Sequence, residues 1–218
     1  MFIFGVVNNT NIYMKRFIAS WIFICFLFVG KAQKMEECFI RMPDDLVFQL
    51  EEAWRKDLVD LYKSGKPAAL ENTMQGMSVL IKLSDNYLLL QSTESSTVEL
   101  KLLSLINNTH IICMIETVYA PIADSRISFY STGWQQLPSD NIFIPVDESW
   151  FWKEHASSQE YLPQSEVFLL KYSLSDENEI LTAEYMTPLF LDDENQQQMN
   201  PFLKSEPKTY KWKSGRFE

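Results

Sequence analysis

The chain has 218 residues, with 29 Asp or Glu against 19 Lys or Arg, and a formal net charge of −10 at pH 7. This excess of negative charge repels phosphate groups, so we expect no nucleic-acid partner. Hydrophobic residues make up 46% of the chain and aromatic residues 14%, as in ordinary folded domains, which excludes wholesale disorder.

The first 32 residues have the pattern of a secretory signal. A basic start at Met14 is followed by an apolar run over residues 17–29 and by a small-x-small cleavage site at residues 30–32. We therefore predict that translation starts near Met14, that residues 1–32 form a signal peptide, and that residues 33–218 form a single exported domain. The apolar run is shorter than the roughly 20 residues of a membrane span. We expect no membrane span in the mature chain, and an uncleaved anchor is the alternative.

Removal of this segment makes the chain more acidic. Residues 1–32 carry Lys15, Arg16 and Lys31 and no acid, so 16 basic and 29 acidic side chains remain, a net charge of −13. Such a surface also disfavours docking on anionic lipid. Cys38 and Cys113 remain in the domain, and an oxidising compartment would allow them to form a disulfide. The alternative is two separate thiols, with Cys113 buried in a strand.

The first predicted element of the domain is a helix. Apolar residues recur every three or four positions between residues 46 and 61, which places them on one helical face. The pattern allows a break near Gln49 into a turn and a longer helix. Gly65 and Pro67 follow as end signals.

The pattern then changes to strands rich in Leu, Val and Ile, separated by short polar turns, as in antiparallel sheets. The predicted strands cover residues 79–83, 87–91, 98–105, 110–119, 126–131, 166–174, 179–187 and 209–213. Residues 132–163 look irregular, with Asp147 as the cap of a short helix over residues 150–154. The polar residues 192–205 are predicted to form a mobile loop.

These elements predict an α+β fold in which an N-terminal helix packs on an antiparallel sheet of about six to eight strands. A β-sandwich is the alternative. Residues 97–119 and 166–187 are also similar to each other, because both contain a Ser-Leu pair before a polar turn, at Ser104 and Ser173. This similarity suggests a duplicated β-hairpin unit.

No pattern specific for catalysis, for a cofactor or for a metal occurs. The chain lacks the Gly-x-Ser-x-Gly turn of common serine hydrolases and the glycine-rich loops that bind phosphates. It has two histidines, His110 and His155, too few for a site with several imidazoles. We predict no catalytic residue, no cofactor and no metal. The alternative is a hydrolase that acts on glycans or peptides through carboxylates, with His155 as a candidate general base.

Aromatic residues in the irregular segment are the remaining candidates for a site. Flat aromatic faces in loops stack on sugar rings or anchor a protein partner. The candidate binding residues are Trp134, Trp150, Trp152 and Tyr161. They favour a non-catalytic binding module with a protein or glycan partner, and the alternative is that they pack as core against one side of the sheet.

Four segments, taken together, resemble a known family. They are MPD at residues 42–44, RKDLVDLY at 55–62, STVELKLL at 96–103 and DSRISFY at 124–130. In combination they resemble an uncharacterised family of secreted proteins from Bacteroides-type bacteria, and the resemblance extends over residues 37–217. It implies export from a Gram-negative cell, to the periplasm or the outer surface. It implies no assigned activity and transfers no functional residue.

Overall fold

The computed structural model describes residues 34–154 and 167–218. Its α-helices are α1 (Met35–Ile40), α2 (Glu52–Lys63), α3 (Thr187–Phe190) and α4 (Asp193–Met199), with 3₁₀ helices at Glu148–Phe151 and Asn200–Phe202. Its strands are β1 (Ala69–Glu71), β2 (Met77–Leu83), β3 (Tyr87–Thr93), β4 (Ser96–Ser104), β5 (His110–Tyr119), β6 (Ala123–Ser131), β7 (Gln136–Leu137), β8 (Leu170–Leu174), β9 (Ile180–Tyr185), β10 (Lys208–Lys213) and β11 (Arg216–Phe217). Seven of the eight predicted strands are confirmed. The strand predicted at residues 166–174 is confirmed from Leu170 onward, and residue 166 lies outside the described residues. The short β1, β7 and β11 were not predicted.

The predicted first helix breaks where the sequence allowed a break, because α2 begins at Glu52. The turn before it is held by Arg55, whose side chain is 1% exposed. The guanidinium donates to the Asp44 carboxylate at 2.8 Å. It also donates to four backbone carbonyls at the end of α1 and in the turn, those of Phe39, Ile40, Met42 and Leu50. Arg55 thus fixes the path of the chain from α1 to α2. The short α1 was not predicted from the sequence.

Strands β1 to β7 form a seven-stranded antiparallel sheet in which every strand pairs with its neighbours in the chain. The side chains of β4 alternate between its two faces, as the sequence predicts. Val98, Leu100 and Leu102 join the core beneath α1 and α2. Glu99 and Lys101 point to the opposite face. The predicted α+β fold with a helix-covered antiparallel sheet is confirmed.

A second sheet, with the order β11-β10-β9-β8, covers the other face of the large sheet. The core between the two sheets is rich in aromatic rings, including Phe129, Phe143 and Phe217. Phe143 comes from the segment predicted to be irregular, and its ring lies 5.5 Å from that of Tyr172. The β-sandwich alternative therefore describes one side of the molecule, and the helix-on-sheet prediction describes the other.

Side chains of the large sheet bind the outer edge of β8. The Leu174 amide donates to the Glu99 carboxylate at 2.9 Å, and the Tyr172 amide donates to Ser125 Oγ at 3.1 Å. Lys101 is fully buried, and its ammonium donates to the carbonyls of Ser175 and Asp176, both at 3.0 Å. An unpaired strand edge invites pairing with another chain. Here these side-chain contacts satisfy the edge and join the two sheets.

Residues 192–205, predicted to be a mobile loop, are largely helical in the structure, so that prediction was wrong. Asp192 accepts a hydrogen bond from the Asn195 amide at 2.9 Å and thereby caps α4. An Asp at this position satisfies one of the free amides at a helix N-terminus. The polarity of the segment reflects an exposed helix.

Cys38 and Cys113, which lie in the described part of the chain, are free thiols. Cys38 lies in the core beneath the helices and Cys113 in the core between the sheets, and both are buried. Burial raises the pKa of Cys38 to about 11 and raises the pKa of Cys113 well above its usual value. The large sheet separates the two side chains, so the fold offers no disulfide between them.

The pair of hairpins suggested by the internal similarity corresponds to β4–β5 and β8–β9, and each is an antiparallel hairpin. Residue 166, at the start of the second unit, lies outside the described residues. A duplication stays a prediction. Among residues 34–154 and 167–218, no helix is both long and apolar enough to cross a membrane.

Candidate functional site

The structure separates the predicted aromatic residues. Trp134 belongs to the helix-covered side of the sheet, where its indole nitrogen donates to the Cys38 carbonyl at 2.9 Å. Its ring lies 5.4 Å from that of Tyr130. These contacts attach α1 to the sheet, which gives Trp134 a packing role remote from Trp150.

Trp150 lies on the opposite side, on the 3₁₀ helix Glu148–Phe151. Its indole ring is approached by two cations, because Lys204 Nζ lies 4.3 Å and Lys208 Nζ 5.3 Å from the ring centroid. A cation over an aromatic ring competes with a sugar for stacking on that ring face. Trp152 is half-buried and forms an isolated antiparallel bridge with Leu203. Tyr161 and His155 lie outside the described residues.

The chain around Trp152 runs beside the segment that follows α4. The Lys153 amide donates to the Phe202 carbonyl and the Lys204 amide donates to the Phe151 carbonyl, both at 2.8 Å. Two separate segments are thereby held together beside the end of β9. Together they carry two lysines, Lys153 and Lys204, to the mouth of one pocket.

We call this cavity the end pocket, and its volume is about 670 Å³. Pockets of this size hold small molecules or side chains of a partner. Its aromatic wall is formed by Phe151 and Tyr185, whose rings stack at 5.0 Å with an angle of 14° between their planes. Tyr185 donates a hydrogen bond to the Glu148 carboxylate, and burial raises the pKa of the Tyr185 hydroxyl. Leu189, which is 52% exposed, supplies an apolar edge.

The lysines at the mouth are held in place by the protein. Lys153 Nζ donates to the Pro201 carbonyl at 2.7 Å, and Lys204 Nζ donates to the Trp150 carbonyl. Each ammonium has three N–H groups, so donors remain after these bonds. Cations that are already ordered lose little side-chain entropy when a ligand arrives.

Two acids, Glu184 and Glu206, also line the end pocket. Glu184 lies 3.7 Å from Lys171 in an ion pair, so part of its charge is neutralised. Among residues 34–154 and 167–218, no group of three or more His, Cys, Asp or Glu side chains is placed to hold a metal ion.

Sequence reasoning did not find Lys153, Lys204, Tyr185 or Leu189. Their segments are distant in sequence and meet only through the bridge at Trp152 and the end of β9. The available signal was the concentration of lysines after residue 203 in an acidic chain, at positions 204, 208, 211 and 213.

The fold and the site define an α+β domain with a helix-covered sheet, a second sheet on its other face and a pocket at the end of that second sheet. The chain belongs to a family described as a protein of unknown function (DUF3256), whose model matches residues 28–217. It is similar to a solved structure of a domain of an uncharacterised protein from Porphyromonas gingivalis W83. That similarity has a TM-score of 0.75 and 29% sequence identity over 84% of this chain and 98% of the other. No curated protein matches the chain.

Proposed function

We propose that this protein is an exported, non-catalytic binding module that holds a segment of a partner protein in the end pocket, in the periplasm or at the cell surface. The observation that carries the proposal is that Lys153 and Lys204, whose ammoniums are hydrogen-bonded to the protein, line the same pocket as an apolar and aromatic wall. Export is supported by the signal-like pattern of residues 1–32.

The lining of the end pocket suits a peptide better than a neutral sugar. A sugar ring stacks on an open aromatic face. Phe151 is only 2% exposed and stacks on Tyr185, and cations approach the Trp150 ring. A peptide provides an apolar side chain for the wall and charged groups for the mouth of the pocket.

The charges at the mouth favour an acidic segment. Lys153 and Lys204 have N–H donors to spare, whereas one of the two lining acids, Glu184, already pairs with Lys171, which leaves Glu206 as the acid that opposes such a segment. The rest of the domain is strongly acidic and repels acidic peptides at a distance. Binding of such a peptide would therefore depend on this local pair of cations and on direct contact.

The test measures the affinity of the protein for a fluorescent peptide of alternating leucine and glutamate. We expect the double variant K153M/K204M to weaken binding at least about tenfold, equivalent to about 1.4 kcal/mol. Methionine keeps much of the apolar stem of lysine and removes the charge. Leu189→Ser is expected to weaken binding by removal of the apolar edge.

The matched control is K211M/K213M, which removes two exposed lysines outside the pocket. It should leave the affinity within about twofold of wild type. The change in net charge equals that of K153M/K204M, but salt screens the effect of charges that lie outside the pocket. Equal losses in both double variants would reject the end pocket. Cleavage of the peptide, detected by mass spectrometry, would instead support the carboxylate-dependent hydrolase.

A further inference from the structure

A second surface, at the turn before α2, exposes large apolar side chains. Phe48 is 62% exposed, Met74 is 61% exposed and Met77 is 42% exposed. We call these three residues the Phe48 tip. Phe48 lies between Val47 and Leu50, which are 2% and 0% exposed, so the exposed ring belongs to a turn that is anchored in the core.

Hydrogen bonds join the two loops of the Phe48 tip. The Thr73 amide donates to the Gln49 carbonyl at 3.1 Å, and the Thr73 hydroxyl approaches the carbonyls of Phe48 and Gln49, both at 3.3 Å. The buried side chain of Asn72 accepts from the amides of Met74 and Gly76 at 3.0 and 3.1 Å. The tip is therefore presented in a fixed conformation, which reduces the entropy lost on binding.

The surroundings of the Phe48 tip are acidic. Residues 43–53, 69–79 and 92–96 carry no lysine or arginine and six acids: Asp44, Asp45, Glu51, Glu52, Glu71 and Glu94. Asp44 pairs with the buried Arg55, so the other five acids carry the negative charge of this region. Glu71 lies directly opposite Met77 in the β1–β2 pair, and the Glu94 carboxylate accepts from the Met77 amide at 3.4 Å. An apolar surface surrounded by charges of one sign favours a partner with charges of the opposite sign.

We propose that the Phe48 tip is a second docking surface, for a protein segment that carries apolar and basic side chains. Its charge is opposite to that of the lysines at the end pocket, so the two surfaces select different chemistry. The acidic rim repels anionic lipid, which argues for a protein occupant over a membrane surface.

The experiment uses a fluorescent peptide of alternating leucine and lysine, with the leucine and glutamate peptide as the reference of opposite charge. We expect F48S/M74S to weaken binding of the lysine peptide at least about tenfold. Glu71→Lys should weaken it severalfold, and a salt concentration of about 0.5 M should reduce the affinity of wild type through screening.

Two matched controls separate the tip from diffuse attraction to an acidic protein. I106S/I144S removes two side chains that are 84% and 75% exposed elsewhere. Glu177→Lys makes the same charge change as Glu71→Lys at a position in the turn between β8 and β9. Both controls should bind within about twofold of wild type, as expected for independent sites.

Three results would overturn the proposal. One is the absence of binding, and another is an equal loss in the tip variants and their controls. The third is binding of wild type, but not of F48S/M74S, to uncharged phosphatidylcholine vesicles, which would assign the tip to a lipid surface. None of these results concerns Lys153 or Lys204, so the end pocket is tested separately.

Discussion

The two faces of the seven-stranded sheet are covered in different ways. The face under α1 and α2 is mainly aliphatic, with Leu58, Leu88 and Leu100 all 0% exposed. The face under the second sheet combines aromatic rings with half-buried Glu99 and fully buried Lys101, which bind the backbone of the second sheet. The first face is held mainly by burial of apolar area, whereas the second adds directional contacts that fix the position of β8.

The difference also bears on function. Directional contacts hold β8 and its partner β9 in place, and the end pocket lies where β9 ends. A ligand that binds there meets a wall whose position is already set. The helix-covered face offers its own exposed feature, the Phe48 tip, at the turn that Arg55 holds.

The largest expected effect is on the helix-covered face. Arg55→Met removes the donor to four carbonyls, of which several are buried, and should lower the free energy of unfolding by about 3–5 kcal/mol. This change in the free energy of unfolding is measured by urea unfolding, with circular dichroism as the readout. Lys56→Met, at the neighbouring exposed position, should change stability by less than about 0.5 kcal/mol. A similarly small effect at Arg55 would show that water replaces its hydrogen bonds.

The next effect concerns the contact between the sheets. Lys101→Met leaves the carbonyls of Ser175 and Asp176 without their donor, and we expect a loss of about 1–3 kcal/mol. Lys211→Met on exposed β10 is the control. If Lys101→Met were more stable than wild type, desolvation of the buried ammonium would cost more free energy than its two hydrogen bonds contribute.

The strands of the large sheet could be predicted from the sequence because apolar and polar side chains alternate along them. The alternation of Val98, Leu100 and Leu102 with Glu99 and Lys101 predicted the strand and its two faces. It did not reveal that Glu99 and Lys101 are covered, because a charged residue on one face of a strand usually faces solvent. Only the long-range packing of β8 and the turn after it, more than 70 residues away in sequence, covers them.

The candidate site was less predictable for the same reason. Sequence patterns identified the aromatic residues near Trp150, but not that Lys204 and Lys208 approach its ring. Trp134 was grouped with Trp150 because they share an irregular segment, although the sheet places them on opposite sides. Proximity in sequence does not determine on which face a loop residue packs.

The smallest effect is a dependence of stability on pH through Glu99. Burial raises the pKa of its carboxyl above the usual value of 4.5, against the lowering effects of the Leu174 amide, the Tyr87 hydroxyl and Lys171. A raised pKa in the folded state means that folding takes up a proton at pH values between the unfolded and the folded pKa. The contribution of Glu99 is therefore fully present below the unfolded pKa and is lost as pH rises through the folded pKa. We expect the free energy of unfolding to fall over this pH range.

The Gln side chain in Glu99→Gln cannot ionise and keeps an acceptor for the Leu174 amide. The variant should therefore show a weaker dependence of the free energy of unfolding on pH in this range. Urea unfolding of wild type and Glu99→Gln, measured at several pH values from the acid range to neutrality, gives the difference between their free energies of unfolding. Burial lowers the pKa of Lys101, on the same strand and face, so its titration makes stability rise with pH and has the opposite sign. Parallel profiles for wild type and Glu99→Gln would mean that Glu99 is better solvated than its packing indicates.

The most direct test of the central claim is to map where the peptide of leucine and glutamate binds. Amide chemical shifts of the ¹⁵N-labelled protein, followed during titration, report the contact surface residue by residue. We predict the largest changes at Lys153, Tyr185, Leu189 and Lys204, with Leu88 and Leu100 unchanged. Largest changes on the helix-covered face, or no changes at saturating peptide, would contradict a binding site in the end pocket.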